Sequence, residues 1–374
     1  MFTLPDLLTD FASLTLGAPV FDEEKLLVYR ELYYDGFSSI IAARDLTSGA
    51  AVAVKKVEYA FMKPAPFPIR CLQRSFSRKV RQQVAKFRAL SHNSVLKIME
   101  FVVEPERIVI VTEMCMFGDL FNWMLQQAQL RVRDICLIIQ YVQQVLSYLH
   151  SQNLIHGNLT PTHLLFQAMS PQSVTVMPDL SIRNELVSLT AKAPPVFDCW
   201  APEKLKNFLS LVAERNALGK KTVEVAEDQP MHPYFEPTKS MDIWSVGCIT
   251  HIALTGKPPF VANSVTDMVN VIEGSEGKLK SPMLNRLSPL VKKQLNDTLA
   301  INPDDRPTAE NSSDCHWFDD DITRADNRNI LLTIEYDLLY TCRRYRTQGR
   351  RIFESVFSGN STVNDTAATD LVRD

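Results

Sequence analysis

Residues 156–163 read His156-Gly157-Asn158-Leu159-Thr160-Pro161-Thr162-His163, a polar loop set just after a long apolar-striped segment. That segment carries Ile135, Leu137, Ile138, Tyr141, Val142, Val145, Leu146 and Leu149. Their spacing is that of a helix with one face in a core. Past the loop come Asp179-Leu180-Ser181, then Ala201-Pro202-Glu203, then residues 242–254, nearly all apolar. Such a helix is expected to be buried on most sides. Upstream the texture changes. Residues 24–57 alternate apolar and polar side chains, with Thr47-Ser48-Gly49 as a turn, which predicts antiparallel strands. Phe76, Val80, Val84 and Phe87 form a helical stripe over 76–90, and Arg107 to Glu113 (RIVIVTE) reads as another strand. The expectation is an α+β chain: a small sheet-rich lobe followed by a larger helical one.

Composition narrows the function classes. The chain has 374 residues, of which 45% are hydrophobic and 22% charged. Neither a disordered nor a collagen-like chain has that balance. Its 12 glycines are few, and the formal net charge of −3 disfavours a dedicated nucleic-acid binder. The seven cysteines are scattered without a CxxC pair, which suits reduced thiols and a cytoplasmic location. The acidic start is a poor secretory signal, and no uninterrupted apolar run is long enough for a transmembrane segment.

From about residue 26 to 318 the sequence resembles the eukaryotic protein kinase family. The markers fall in family order: Val52-Ala53-Val54-Lys55, the 156–163 loop, Asp179-Leu180-Ser181, Ala201-Pro202-Glu203, Asp242-Ile243-Trp244-Ser245-Val246-Gly247 and Asp305-Arg306-Pro307. The resemblance implies a bilobal kinase-like fold over 24–320, with an N-lobe of 24–113 and a C-lobe of 117–320. Residues 1–23 precede it as an extension. An insertion of about 206–238 interrupts it, and a helical extension with a polar tail follows over 321–374.

The resemblance also assigns an ATP site. Ile40, Ala53 and Leu165 match the adenine sandwich, and Leu32 its lid. Thr112 matches the gatekeeper, followed by the hinge Glu113-Met114-Cys115, and Lys55 matches the lysine on the α- and β-phosphates. Asp179 matches the aspartate that binds Mg²⁺. Phe87, Ile98, His156 and Leu180 match side chains stacked between the lobes, and Glu203 and Arg306 match a buried ion pair.

The chemistry has departed from that pattern. Asn158 stands where the family has the aspartate that receives the substrate hydroxyl's proton, and a carboxamide is no base. Gly157 replaces the loop arginine and Thr160 the lysine that steadies the transferred phosphate. His163 replaces the asparagine holding the second Mg²⁺, which prefers hard oxygen ligands. Gln83 stands for the glutamate that pairs with the phosphate lysine. No shift of register supplies an acid, since residues 59–99 contain no Asp or Glu and nine Lys or Arg. In the phosphate loop Tyr33, Asp35 and Ser38 occupy glycine positions. A carboxylate 4 Å from a phosphate charge costs about 1 kcal/mol in water and about 4 kcal/mol at an effective dielectric of 20.

Three functions are therefore in play. The first is a pseudokinase acting as scaffold or allosteric adaptor for a protein partner, an active kinase or a trafficking component. Residues 156–161 together with Trp317-Phe318-Asp319-Asp320 look like the Scy-like pseudokinases, adaptors in membrane trafficking, and the STRAD-type adaptors offer a comparable case. The second is a divergent, weakly active serine/threonine kinase using Lys55 and Asp179. The third is an adaptor for an acidic or phospholipid surface. It would act through the basic run at 63–97 and through Arg343, Arg344, Arg346, Arg350 and Arg351, which follow an apolar helix at Ile330–Leu339.

Overall fold

The computed structural model describes residues 20–34, 38–58, 84–104, 107–178, 196–218, 237–276, 279, 281–313, 332 and 334–357. Five antiparallel strands form the first lobe: β1 (Leu26–Tyr34), β2 (Ser38–Asp45), β3 (Ala51–Glu58), β4 (Ile98–Val103) and β5 (Arg107–Glu113), in the order β1-β2-β3-β5-β4. Alternation in β3 splits its side chains between two faces. Val52 and Val54 join Ala43, Val109 and Val111 in a small cluster, which Phe21 plugs. Val57, Ile108 and Ile110 face the other way, into the main core with Val84 and Phe87.

The residues just before β1 strap the first cluster down. The Phe21 N–H donates to Glu104 Oε1 at 2.7 Å. Glu23 takes Lys56 of β3 at 2.9 Å and Arg107 of β5 at 2.6 Å, and Lys25 reaches Glu100 of β4 at 2.6 Å. The hydrogen bond from Lys56 is the largest influence holding the Glu23 carboxyl below its ordinary pKa. At β2–β3 the Asp45 carboxylate accepts from the Thr47 N–H at 2.8 Å, and Gly49 supplies the φ of +73° that turns the chain.

The helical lobe contains α1 (Leu120–Leu125), α2 (Val132–Ser151), the short strands β6 (Leu164–Phe166) and β7 (Val174–Val176), α3 (Pro202–Leu218) and α4 (Lys239–Thr255). It continues with α5 (Val265–Gly274), α6 (Pro289–Thr298), α7 (Ala309–Ser313) and α8 (Glu335–Phe357). Helix α2 starts where Asp134 accepts from the Arg131 N–H at 3.0 Å, and its apolar stripe packs against α4 and α7. Every residue of α4 from Met241 to Thr255 is buried, as its composition predicts. Gly256 ends that helix at φ +78° and carries no side chain because α8 crosses there. A Cβ would lie 2.9 Å from the Leu338 backbone nitrogen.

The C-terminal end differs from the sequence expectation. Leu332 and Ile334 are buried but not helical, and the helix starts at Glu335 and runs through the arginine cluster instead of ending before it. Arginine is a good helix former. Two of the cluster also find carboxylates inside the molecule: Arg344 meets Asp198 at 2.8 Å and Arg346 lies 3.7 Å from Asp119. Of the expected 76–90 helix, residues 84–88 are described and helical.

Candidate functional site

Strand register gathers several of the residues expected at the nucleotide site on the core-facing side of the first sheet. In the β2–β3 pairing Ile40 sits opposite Lys55, and in the β3–β5 pairing Ala53 sits opposite Thr112. Ile40, Ala53, Lys55 and Thr112 therefore share one face, and all but the buried Thr112 are half-buried. Leu32 on β1, the expected lid, is 39% exposed. The chain leaves β5 through Glu113, whose carboxylate accepts from the Lys97 N–H at 2.9 Å. Cys115 follows, a buried thiol pushed up to about 12 by desolvation. The crossing strand then bonds to β6: the Phe117 N–H donates to Phe166 O at 3.1 Å, and the Phe166 N–H to Gly118 O at 2.9 Å. Asp119 bridges Leu165. Leu165 thus comes to lie beneath the residues that follow the hinge.

The loop after α2 is held from below by one acid. Asp242, fully buried on α4, accepts from the Gly157 N–H at 2.7 Å, the His156 N–H at 2.9 Å and His150 Nε2 at 2.9 Å. A carboxylate inside a helix that is apolar on every side is costly unless so satisfied. Nearby, Arg306 and Glu203 form the expected pair in bidentate geometry, at 2.7 and 2.8 Å. The guanidinium also donates to the carbonyls of Ala300, Ile301 and Ser240, and it stacks over Trp244.

Gly157 stands where the resemblance expects an arginine, and the structure shows what surrounds it. Its φ is +73°, and an added Cβ would lie 2.7 Å from Cβ of Pro237, at the end of the expected insertion. Lys204, 4% exposed, donates its Nζ to Gly157 O at 2.9 Å and lies over the Trp200 ring. No sequence signal pointed to this buried lysine. The loop's remaining polar groups turn inward. Thr160 Oγ1 shares hydrogen bonds with Thr162 Oγ1 at 2.9 Å and His163 Nδ1 at 2.8 Å. The buried His163 ring meets His156 edge-on at 5.0 Å, and His156 Nε2 bonds Met177 O at 2.9 Å.

Among the described residues, the loop's donors do not suit Mg²⁺. The cation takes hard oxygens in near-octahedral geometry, whereas His163 offers an imidazole whose Nδ1 is already engaged. Among the described residues no group of three or more His, Cys, Asp or Glu could hold a metal ion. Asp179, Leu180, Asp35 and Gln83 lie outside the described residues, as does most of the 63–97 basic run. No helix among the described residues is long and apolar enough to cross a membrane.

A family model described as the protein kinase domain matches residues 35–185 and 232–318. Over 310 residues the chain is 24% identical to mouse serine/threonine-protein kinase 33, covering 83% of this chain and 58% of that one. Over 288 residues it is 24% identical to a serine/threonine-protein kinase H1 homolog of Pinctada fucata, covering 77% and 63%. It therefore spans less than two thirds of either relative. Myosin light chain kinase A of Dictyostelium discoideum is 22% identical, covering 75% of this chain and 85% of that one. Among solved structures, Rad53 1-466 in complex with AMP-PNP superposes with a TM-score of 0.57 at 17% identity, covering 79% of this chain and 65% of that one.

Proposed function

The chain belongs to the protein kinase domain family, and from that premise we propose that it is a nucleotide-binding pseudokinase acting as a scaffold or allosteric adaptor. One observation carries the reading. Asn158 stands at the centre of a loop whose neighbours Thr160 and His163 bond each other. A carboxamide cannot accept the hydroxyl proton of a protein substrate, and the loop offers no lysine to stabilise charge on the transferred group. The framework around that loop is intact, from the Asp242 hub to the Glu203–Arg306 pair. Fold is retained where chemistry has gone, which is what a binding protein needs.

ATP is the proposed ligand. Support comes from the shared face of Ile40, Ala53, Lys55 and Thr112, and from the likeness to Rad53 1-466 in complex with AMP-PNP. A thermal-shift titration with ATP tests it. Saturation at 100 times Kd raises stability by about 2.7 kcal/mol, and a flat trace at millimolar ATP would leave the pocket purely structural. The rival reading is a weakly active serine/threonine kinase. The retained Lys55 and the names of the relatives favour it. The partner we propose is a protein. An acidic or phospholipid surface is the further possibility, and salt-sensitive vesicle binding tests it.

A further inference from the structure

We infer that α8 pairs antiparallel with α8 of a second copy of this chain, through the face it turns away from the helical lobe. The helix has two apolar sides. Its inner side is committed to its own lobe: Leu338, Thr341 and Cys342 are buried, Thr341 Oγ1 donates to Gly256 O, and the Tyr345 ring lies 5.3 Å from that of Phe121. On most surface helices the opposite side is polar. Here Tyr336 is 85% exposed, Tyr340 70% and Leu339 40%, and the exposed Arg343 follows them. These four stand at i, i+3, i+4 and i+7, the spacing with which one helix meets another helix or a groove. Single exposed apolar side chains are ordinary on a surface, whereas an aligned stripe marks a contact face.

Charge along α8 selects the occupant. The helix opens with Glu335 and Asp337 and carries Arg343, Arg344, Arg346, Arg350 and Arg351 further on. A second copy laid parallel would set acid beside acid and base beside base. Laid antiparallel, with the two-fold axis between Leu339 and Tyr340, it brings the acidic start of each helix to the basic stretch of the other and opposes the two macrodipoles. Position 336 then faces position 343 of the second copy, and position 339 faces position 340. Each Tyr336 ring receives the Arg343 guanidinium of the other copy as a cation–π stack, and Leu339 packs on Tyr340. The contacts of α8 with its own lobe stay in place, Asp337 with Lys257 at 3.1 Å and Arg344 with Asp198 at 2.8 Å. A tyrosine buries about 150–250 Å², so four of them put this contact at the low end of specific interfaces, and the dimer is a weak, exchanging one. A protein that acts by binding would thereby offer each partner surface twice. The pairing is independent of whether the pocket holds a nucleotide.

Sedimentation equilibrium of the full chain from about 1 to about 200 µM tests this. The expected result is a reversible monomer–dimer equilibrium without larger species, because a two-fold contact uses the face once per chain. Tyr336→Lys sets a lysine against Arg343 of the other copy, and Arg343→Glu sets a glutamate beside its Glu335. Each should weaken the dimer about tenfold or more with little change in Tm, since both positions are exposed. Y336K and R343E combined in one chain set lysine against glutamate across the axis, and should restore the dimer to within about threefold of the parent. That rescue requires position 336 to face position 343, which a parallel pair does not provide. A parent that stays monomeric at the highest concentration, open-ended association, a dimer indifferent to Tyr336→Lys, or a double variant as monomeric as the single ones would each overturn the inference.

Discussion

Changing Arg344 to leucine should destabilise the helical lobe severely, and the loss should depend on pH. Arg344 reaches from α8 to Asp198, just ahead of Ala201-Pro202-Glu203, with Nη2 2.8 Å from Oδ1. The Asp198 side chain has no solvent exposure, and its Oδ2 has no hydrogen-bond partner among the described residues. Burial pushes its carboxyl up to about 6 even with the guanidinium pulling it down. Removing the arginine strands a buried carboxylate, which costs about 3–5 kcal/mol. For a domain of this size that lowers Tm by about 6–20 °C. The pH dependence follows from the direction of the shift. A carboxyl whose folded pKa is raised binds its proton more tightly in the folded state. Its contribution to stability is therefore best at low pH and falls as pH rises from the unfolded value of 3.8 through about 6. Without Arg344 the folded pKa climbs further. At pH 5 the carboxyl is already largely protonated and the variant should lie close to the parent, whereas at pH 8 the full penalty appears. Scanning calorimetry at the two pH values measures both. Adding Asp198→Asn to the variant should restore most of the loss at pH 8. An equal loss at both pH values, or no rescue by the asparagine, would refute the reasoning.

Three more outcomes follow from the same contacts. Asp242→Ala removes the acceptor of two loop N–H groups and of His150, and should cost about 3–5 kcal/mol in chemical denaturation while loosening hydrogen-exchange protection at His156 and Gly157. Glu203→Ala leaves the Arg306 guanidinium, fully buried as a side chain, without its carboxylate, and should lower the denaturation midpoint by a similar amount; Arg306→Met in that background should recover part of it. Gly157→Arg returns the family's residue but meets Pro237 and a φ of +73°. It should destabilise by about 1–3 kcal/mol and bring no kinase activity, and a neutral effect on Tm would show that the loop yields at Pro237.

Much of the fold was legible in the sequence because its signals are local. Alternation over 24–57 and the RIVIVTE run set out the strands, and the apolar stripe over 132–149 set out α2, since period follows from backbone geometry. The nucleotide-site residues were named through the family resemblance, and the strands supply their shared face. Once the strands are placed, register alone puts Ile40, Ala53, Lys55 and Thr112 on one face. The rest depends on contacts distant in sequence. That Pro237 would fill the space at Gly157, that Lys204 would be buried under the loop, or that Arg344 would pair with Asp198 follows from tertiary packing, which no local period records. The arginine cluster shows the cost of this. Read locally it is a solvated basic patch, yet Arg344 and Arg346 turn toward carboxylates within the chain. The reach of α8 across Gly256 is of the same kind, set by Thr341 Oγ1 donating to Gly256 O at 2.6 Å.

Phosphoryl transfer is the most direct test of the central claim. The full chain is incubated with γ-labelled ATP and a generic protein substrate, with Mg²⁺ and separately with Mn²⁺, beside a variant carrying both Lys55→Met and Asp179→Asn. The account predicts that label on the substrate and on the chain itself stays at the level of the double variant under both metals, because Asn158 cannot take up the hydroxyl proton and Thr160 and His163 are bonded to each other. Transfer that proceeds in the parent and is abolished in the double variant would contradict it, and would make this chain an active kinase working through an improvised base.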